Sequence, residues 1–340
     1  MNLDEIKSAL KSDSYDFLRN DKNLGTNIIL LGLGGSHAYG TNNEHSDLDI
    51  RGVATNSKRN ILIGQDFEQV VEVDTDTTVY SFDKIVKLLC SCNPNTIEML
   101  GLKPEHYLYL SPAGVQLLAN KKMFLSQVAI HSFGGYANAQ LRRLENKAAR
   151  LVSQSQQEAN ILKSIEHASV DYKTKYFDCP EDAIKLYIAD SFRPEYDSEI
   201  FMDVNLSHYP LRDFKDMWSE MHAIVKAYSK IGKRNEKAIA HDKLGKHMMH
   251  LVRLYYMCFD ILEKGEINTY RADEHDLLMS IRNGEYLDEN RQPTAEFYDM
   301  VDSLERRLDY DKANTDLPER VNMDEVNDFV ASINEMICKG

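Results

Sequence analysis

Two hydrophobic periodicities divide this chain. Residues 27–34, "NIILLGLG", form an unbroken apolar run that ends in glycine, the pattern of a buried strand. "DLDIRGVA" follows with strict alternation. Read as a strand, it sets Asp47, Asp49, Arg51 and Val53 on one face and turns Leu48 and Ile50 into the core. Residues 68–81, "EQVVEVDTDTTVYS", alternate again. Val71, Val73, Thr75, Thr77 and Val79 share one side; Glu72, Asp74, Asp76, Thr78 and Tyr80 share the other. A short acidic helix is predicted over residues 2–19, another over "FDKIVKLLCSC", and a third beginning in "NPNTIEML".

Beyond about residue 115 the strand signals fade. "GGYANAQLRRLENKAARL" places Tyr136, Gln140 and Arg143 at helical spacing, and residues 157–170 and 180–191 read as further helices. Residues 193–214 read as a connector. Helices resume at "FKDMWSEMHAIVKAYSKI" and at residues 241–265, where Gly265 suits a C-terminal cap, and a last one is predicted over 323–338. No internal repeat or low-complexity linker appears. The expected fold class is therefore α+β, an α/β domain over 1–112 followed by an all-helical domain over 113–340.

Composition narrows the class. The 340 residues are 43% hydrophobic, enough for a sizeable core, and no apolar run reaches bilayer length. The N-terminal segment is charged and acidic, unlike a signal peptide. Five cysteines, with Cys90 and Cys92 one residue apart, match neither a zinc nor a redox spacing, so a reduced, cytoplasmic protein is expected. The formal net charge of −14 argues against an extended DNA-binding face and for a small or locally gripped substrate.

The stretch "GLGGSHAYGTNNEHSDLDIRG", residues 32–52, carries the chemistry. Gly34, Gly35 and Ser36 make a bare turn at a strand exit, where backbone N–H groups and a hydroxyl can hold a phosphate oxygen. No Gly-Lys-Ser/Thr follows, so this is not a P-loop. Asp47 and Asp49 at i and i+2 repel; two charges about 4 Å apart at an effective dielectric near 20 cost on the order of 4 kcal/mol. A divalent cation removes that conflict, and Mg²⁺ favours carboxylate oxygens. A third carboxylate from the neighbouring acidic strand, Asp76 or alternatively Asp74, would complete a two-metal site for in-line phosphoryl or nucleotidyl transfer.

This arrangement resembles the polymerase-β nucleotidyltransferase superfamily, whose signature is an apolar residue, Gly, Gly or Ser, then about ten residues and an Asp-apolar-Asp pair. Gly35, Ser36, Asp47 and Asp49 stand at those positions. "GSHAYGTNNEHSDLDIRGV", "NPNTIEML" and "KHMMHLVRLYYM…GEINTYRADE…IRNGE" resemble a branch of such enzymes from bacteria and large phages. The resemblance implies a nucleotidyltransferase-type mixed β-sheet, an NTP held at the Gly-Ser turn, two Mg²⁺ (or Mn²⁺) ions on the Asp pair, and a third carboxylate at the acceptor hydroxyl.

Other residues extend the candidate site. Arg51 shares the face of the Asp pair, either to neutralise an aspartate or to reach a phosphate. His37 either touches phosphate or caps the turn, and Tyr39 either stacks on a base or packs. Asn95 and Glu98 fit a helix N-cap and its N3 partner. Lys243, Lys246, His250 and Arg253 recur at steps of three, four and three, one basic face in an acidic protein, with Lys246 and Arg253 as expected triphosphate contacts. Arg142, Arg143 and the loop 229–238 either extend this patch towards a nucleic-acid acceptor or, the favoured reading, are ordinary surface charge. The expected activity is metal-dependent transfer of a nucleoside monophosphate to a hydroxyl on an RNA end, a protein or a small molecule. The alternative is a catalytically silent nucleotide-binding or antitoxin-like module. Membrane partners are not expected, and the pattern leaves the oligomeric state open.

Overall fold

The computed structural model describes residues 3–44, 46–134, 136–137, 141, 184–192, 198–228, 244–289 and 292–339. The chain forms two compact units, each built from separated stretches. The first comprises Met1–Leu141, Gly245–Tyr286 and Ala295–Gly340; the second comprises Arg142–Leu244 and Leu287–Thr294.

The first unit is organised on a five-stranded sheet in the order β3-β4-β2-β1-β5. Its strands are β1 (Ile28–Leu33), β2 (Ile50–Ala54), β3 (Gln69–Glu72), β4 (Thr77–Ser81) and β5 (Tyr107–Leu110). β1 pairs antiparallel with both β2 and β5, whereas β2 and β4 run parallel. The unbroken apolar run has a plain cause: every residue of β1 is buried, because the strand is flanked by partners and covered on both faces. One face packs Leu30 and Val53 against Phe82, Ile85 and Leu89. Each of those three side chains contributes about 1.5–3 kcal/mol on burial. The other face packs Leu31, Ile50 and Val79 against Tyr15, Leu18 and Leu24.

The N-terminal helix predicted over 2–19 is broken into α1 (Leu3–Ala9), a 3₁₀ turn (Asp13–Tyr15) and α2 (Phe17–Asn20). Short pieces let Tyr15 and Leu18 reach the sheet face in place of one amphipathic stripe. The strand predicted over 68–81 is a hairpin: β3 and β4 pair antiparallel around a turn in which Asp76 has φ +42°. The alternation holds within β4, where Thr77, Val79 and Ser81 are buried.

Helices follow: α3 (Gly35–Tyr39), α4 (Lys58–Leu62), α5 (Phe82–Cys90), α6 (Pro94–Ile97) and α7 (Pro112–Ala119). Ser81 caps α5 by accepting from Lys84 N (3.1 Å), and Ser111 caps α7 by accepting from Gly114 N (3.2 Å). Residues 128–134 are helical. The predicted helical positions Gln140, Arg142, Arg143 and 157–170 lie outside the described residues, as do Lys243 and the loop 229–238.

In the second unit, β6 (Ile184–Asp190) and β7 (Ser198–Val204) form an antiparallel hairpin, followed by α8 (Leu211–Tyr228). The hairpin corrects the helix predicted over 180–191. Tyr187 faces Phe201 across it with rings stacked 5.8 Å apart, and this cross-strand pairing outweighs the weak helical pattern of a seven-residue segment.

The first unit closes with α9 (Leu244–Phe259), α10 (His275–Arg282), α11 (Ala295–Asn314) and α12 (Met323–Lys339). α9 runs into one π turn, Asp260–Lys264, capped by Gly265 at φ +61°. The following strap folds back: Thr269 N donates to Gly101 O (3.1 Å) and Arg271 N to Tyr39 O (3.2 Å). A buried ion pair between Arg271 and Asp260 anchors it. Among the described residues, no helix is long and apolar enough to cross a membrane.

Candidate active site

β1 delivers the chain to a turn that is tied directly to the aspartate just ahead of β2. Gly34 N donates to Asp49 O (2.9 Å). Gly35 takes φ +54°, and a β-carbon there would overlap the Asp49 carboxylate. Ser36 and Tyr39 lie three residues apart on α3 and so share a face. Gly40, at φ +77°, ends α3 against the ring of Tyr270.

β2 starts at Ile50, so the Asp pair precedes the strand instead of lying on it. Asp49 is drawn inward, whereas Asp47 is exposed in the irregular segment ahead of it. Arg51 donates to the Asp76 carbonyl (2.7 Å) and carboxylate (3.3 Å), and its guanidinium stands 3.7 Å from Asp49. Ile50 N also donates to Asp76 O (3.2 Å). The β3–β4 turn is thereby fastened to the start of β2, with the Asp49 and Asp76 carboxyl groups in hydrogen-bonding contact.

Burial, and then Asp76, push the Asp49 carboxyl up to about 7. Asp76 moves the other way, held below the usual range first by its hydrogen bond with Asp49. Burial and the neighbouring Asp76 carboxylate both favour the protonated form of Asp49. Asp74 is exposed on the same turn.

A cleft of about 330 Å³ opens beside this pair. Ser36 and Tyr39 of α3, Asp49 and Arg51 form one part of its wall, and Thr78 and Tyr80 of β4 another. Asn95, Glu98, Lys246 and His250 close it. The structure thus brings Gly35, Ser36, Asp49, Arg51, Lys246 and His250 to one cavity. Asp76 stands behind Arg51. Asp47 is not in the cleft wall.

His37 is buried at 8% exposure, and burial lowers its pKa. Arg253 is 3% exposed, pairs with Glu98 (3.2 Å) and lies 3.5 Å over the Tyr39 ring, behind the cleft. His250 is held well below its ordinary value by burial and by Arg253 and Lys246, so it is neutral.

Reading "NTIE" as a capping box misplaces two residues. Asn93 is the N-cap, accepting from Asn95 N (3.1 Å), with Pro94 at the first helical position. Glu98 is freed from the cap and buried as the acceptor of Tyr39 and Arg253. The Asn-Pro step is the signal that locates this cap. Thr78 and Tyr80 alternate with the buried Thr77, Val79 and Ser81 along β4 and reach the cleft wall.

Among the described residues, no group of three His, Cys, Asp or Glu side chains stands ready to hold a metal. The Asp49–Asp76 pair is nevertheless a donor set of hard oxygens whose mutual repulsion a divalent cation would relieve.

Residues 10–167 match the family described as RlaP, RNA repair pathway DNA polymerase beta family. That stretch contains Gly35, Ser36, Asp47, Asp49 and Asp76, and the match is consistent with the resemblance to polymerase-β-type nucleotidyltransferases read from the sequence. No curated protein and no solved structure matches the chain.

Proposed function

We propose that this protein is a metal-dependent nucleotidyltransferase that moves a nucleoside monophosphate from an NTP to a hydroxyl on an RNA end. The observation that carries this reading is the Gly35–Ser36 turn seated on Asp49, with Asp76 beside it and Lys246 across the cleft. Ser36, Lys246 and His250 bind the triphosphate, with Arg51 at its metal-side edge. His37 and Arg253 support the turn and the basic helix from behind. Asp49 and Asp76, joined by Asp47 from the segment ahead of β2, would hold two Mg²⁺ or Mn²⁺ ions, which would supply charge neutralisation for in-line transfer.

The acceptor oxygen forms the new bond to the α-phosphorus. The bond to the leaving pyrophosphate breaks, and the hydroxyl proton passes to Asp76. The matching family's description names RNA repair, which favours an RNA end over a protein or a small molecule. The test is transfer of α-labelled NTPs to RNA oligonucleotides in Mg²⁺. The parent is expected to label RNA and an Asp47→Asn/Asp49→Asn double variant to lose the label; equal labelling by both overturns the reading.

A further inference from the structure

Tyr39 and Glu98 in the cleft wall belong to a buried polar assembly, and the reaction proposed above gives neither of them a role. Tyr39, Glu98 and Arg253 are 5%, 6% and 3% exposed. The Tyr39 hydroxyl lies 3.0 Å from both Glu98 carboxylate oxygens, and Arg253 Nη1 donates to one of them (3.2 Å). The guanidinium covers the Tyr39 ring at 3.5 Å, and the His250 ring meets that ring edge-on at 6.0 Å. Thr269 Oγ1 donates to the Glu98 carbonyl (2.6 Å), which fixes the backbone carrying the carboxylate.

α3 is only five residues long, so whatever holds Tyr39 also holds Ser36, one turn earlier on the same face. A helix this short has little stiffness of its own. The Tyr39 hydroxyl is its side-chain tie to the 98–101 turn, and the Arg253 stack is its tie to α9, which carries Lys246 and His250.

We propose that Glu98 is a positioning residue for nucleotide capture: by accepting from Tyr39 while pairing with Arg253, it sets Ser36 on α3 against Lys246 and His250 on α9. The proposal rests on the nucleotidyltransferase reading above. It assigns to Glu98 an effect on ground-state binding, because the groups it orders hold phosphates and do not move a proton.

Three variants separate this role from simple stability. Tyr39→Phe keeps the ring, the Arg253 stack and the ion pair and deletes one hydroxyl. Glu98→Ala removes the acceptor, and Glu98→Gln restores an acceptor for Tyr39 without the charge. ATP, GTP, CTP and UTP are titrated with Mg²⁺ by calorimetry, and KM and kcat are measured with the nucleotide the parent binds, well below each melting temperature. Tyr39→Phe and Glu98→Ala are expected to raise KM at least tenfold with kcat within about threefold. Glu98→Gln is expected to recover most of that loss even though its melting temperature falls. Parental KM in Tyr39→Phe, or equal losses in Glu98→Gln and Glu98→Ala, overturns the proposal while the parent's activity upholds the reaction. A parent that binds none of the four nucleotides takes down both.

Discussion

The Oδ2 of Asp49 occupies the space where Gly35 lacks a β-carbon, so the Gly-Ser turn and the Asp49 carboxylate are shaped by one another. A Gly35→Ala variant meets both this overlap and an unfavourable φ of +54°. It is expected to lose on the order of 1–3 kcal/mol of stability from the backbone strain. It should also lose at least 100-fold in nucleotide transfer as Asp49 is displaced. Thermal melts and labelled-NTP assays check this; near-parental transfer would show that the close approach is dispensable.

The Asp49 carboxyl, pushed up to about 7 by burial and by Asp76, gives a pH dependence of known sign. The folded protein holds this proton more tightly than the unfolded chain, whose carboxyl has the ordinary value of 3.8. Stability from this group is therefore present at the acidic side and lost as pH rises through that window to 7. Asp76 shifts downward, so its contribution is complete above its ordinary range and does not cancel the trend. In EDTA, the melting temperature should fall between pH 5.5 and 8. Mg²⁺ or Mn²⁺ at pH 8 should restore it, and Asp49→Asn should flatten both responses. A parent whose melting curve matches Asp49→Asn across the series would rule out the proton held on Asp49.

The two candidate third carboxylates separate cleanly. Both are exposed on the same turn, and Asp76 is the one tied to Arg51 and Asp49. Asp76→Asn is expected to lower kcat at least 100-fold, and Asp74→Asn to stay within twofold. Steady-state kinetics on the pair decides between them, and the reverse order would move the third ligand to Asp74.

Lys246 is exposed on the cleft and rests on no buried partner network. Lys246→Ala should weaken NTP binding about tenfold with a melting temperature within about 2 °C of the parent. The affinity loss should shrink at high salt, since it comes from charge. Calorimetric titration at two salt concentrations measures this.

The Arg271–Asp260 pair is buried at 3% and 4% exposure and anchors the strap that reaches Tyr39. Arg271→Met leaves Asp260 with Lys264 as its remaining charged partner, and breaking such a buried pair costs about 3–5 kcal/mol. Denaturant melts should show that loss, and a cost under about 1 kcal/mol would mean the strap is held by its backbone bonds alone.

Where pattern and packing agree, the sequence was easy to read. Residues 27–33 spelled a strand because β1 is covered on both faces, and Gly265 marked a helix end because its left-handed angle is one that glycine takes readily. The alternation over 68–81 ran straight through a turn, since Val73 and Thr75 keep the parity of a strand while the chain reverses. The functional stretch stood out because glycines, serine and aspartates cluster within about twenty residues. Its back wall did not. Glu98 meets Arg253 across 155 positions, and nothing local separates a buried carboxylate from a capping one. The basic stripe on α9 was visible as spacing, but spacing does not tell which of its members faces a cleft. Lys246 and His250 do, and Arg253 turns inward to Glu98.

The first unit is assembled from three stretches, and the walls of its cleft are far apart in translation order. Asp49 and Ser36 emerge from the ribosome roughly two hundred residues before Lys246. A nascent chain carrying the signature turn and both aspartates therefore has an open-sided pocket, which is completed only when α9 has docked.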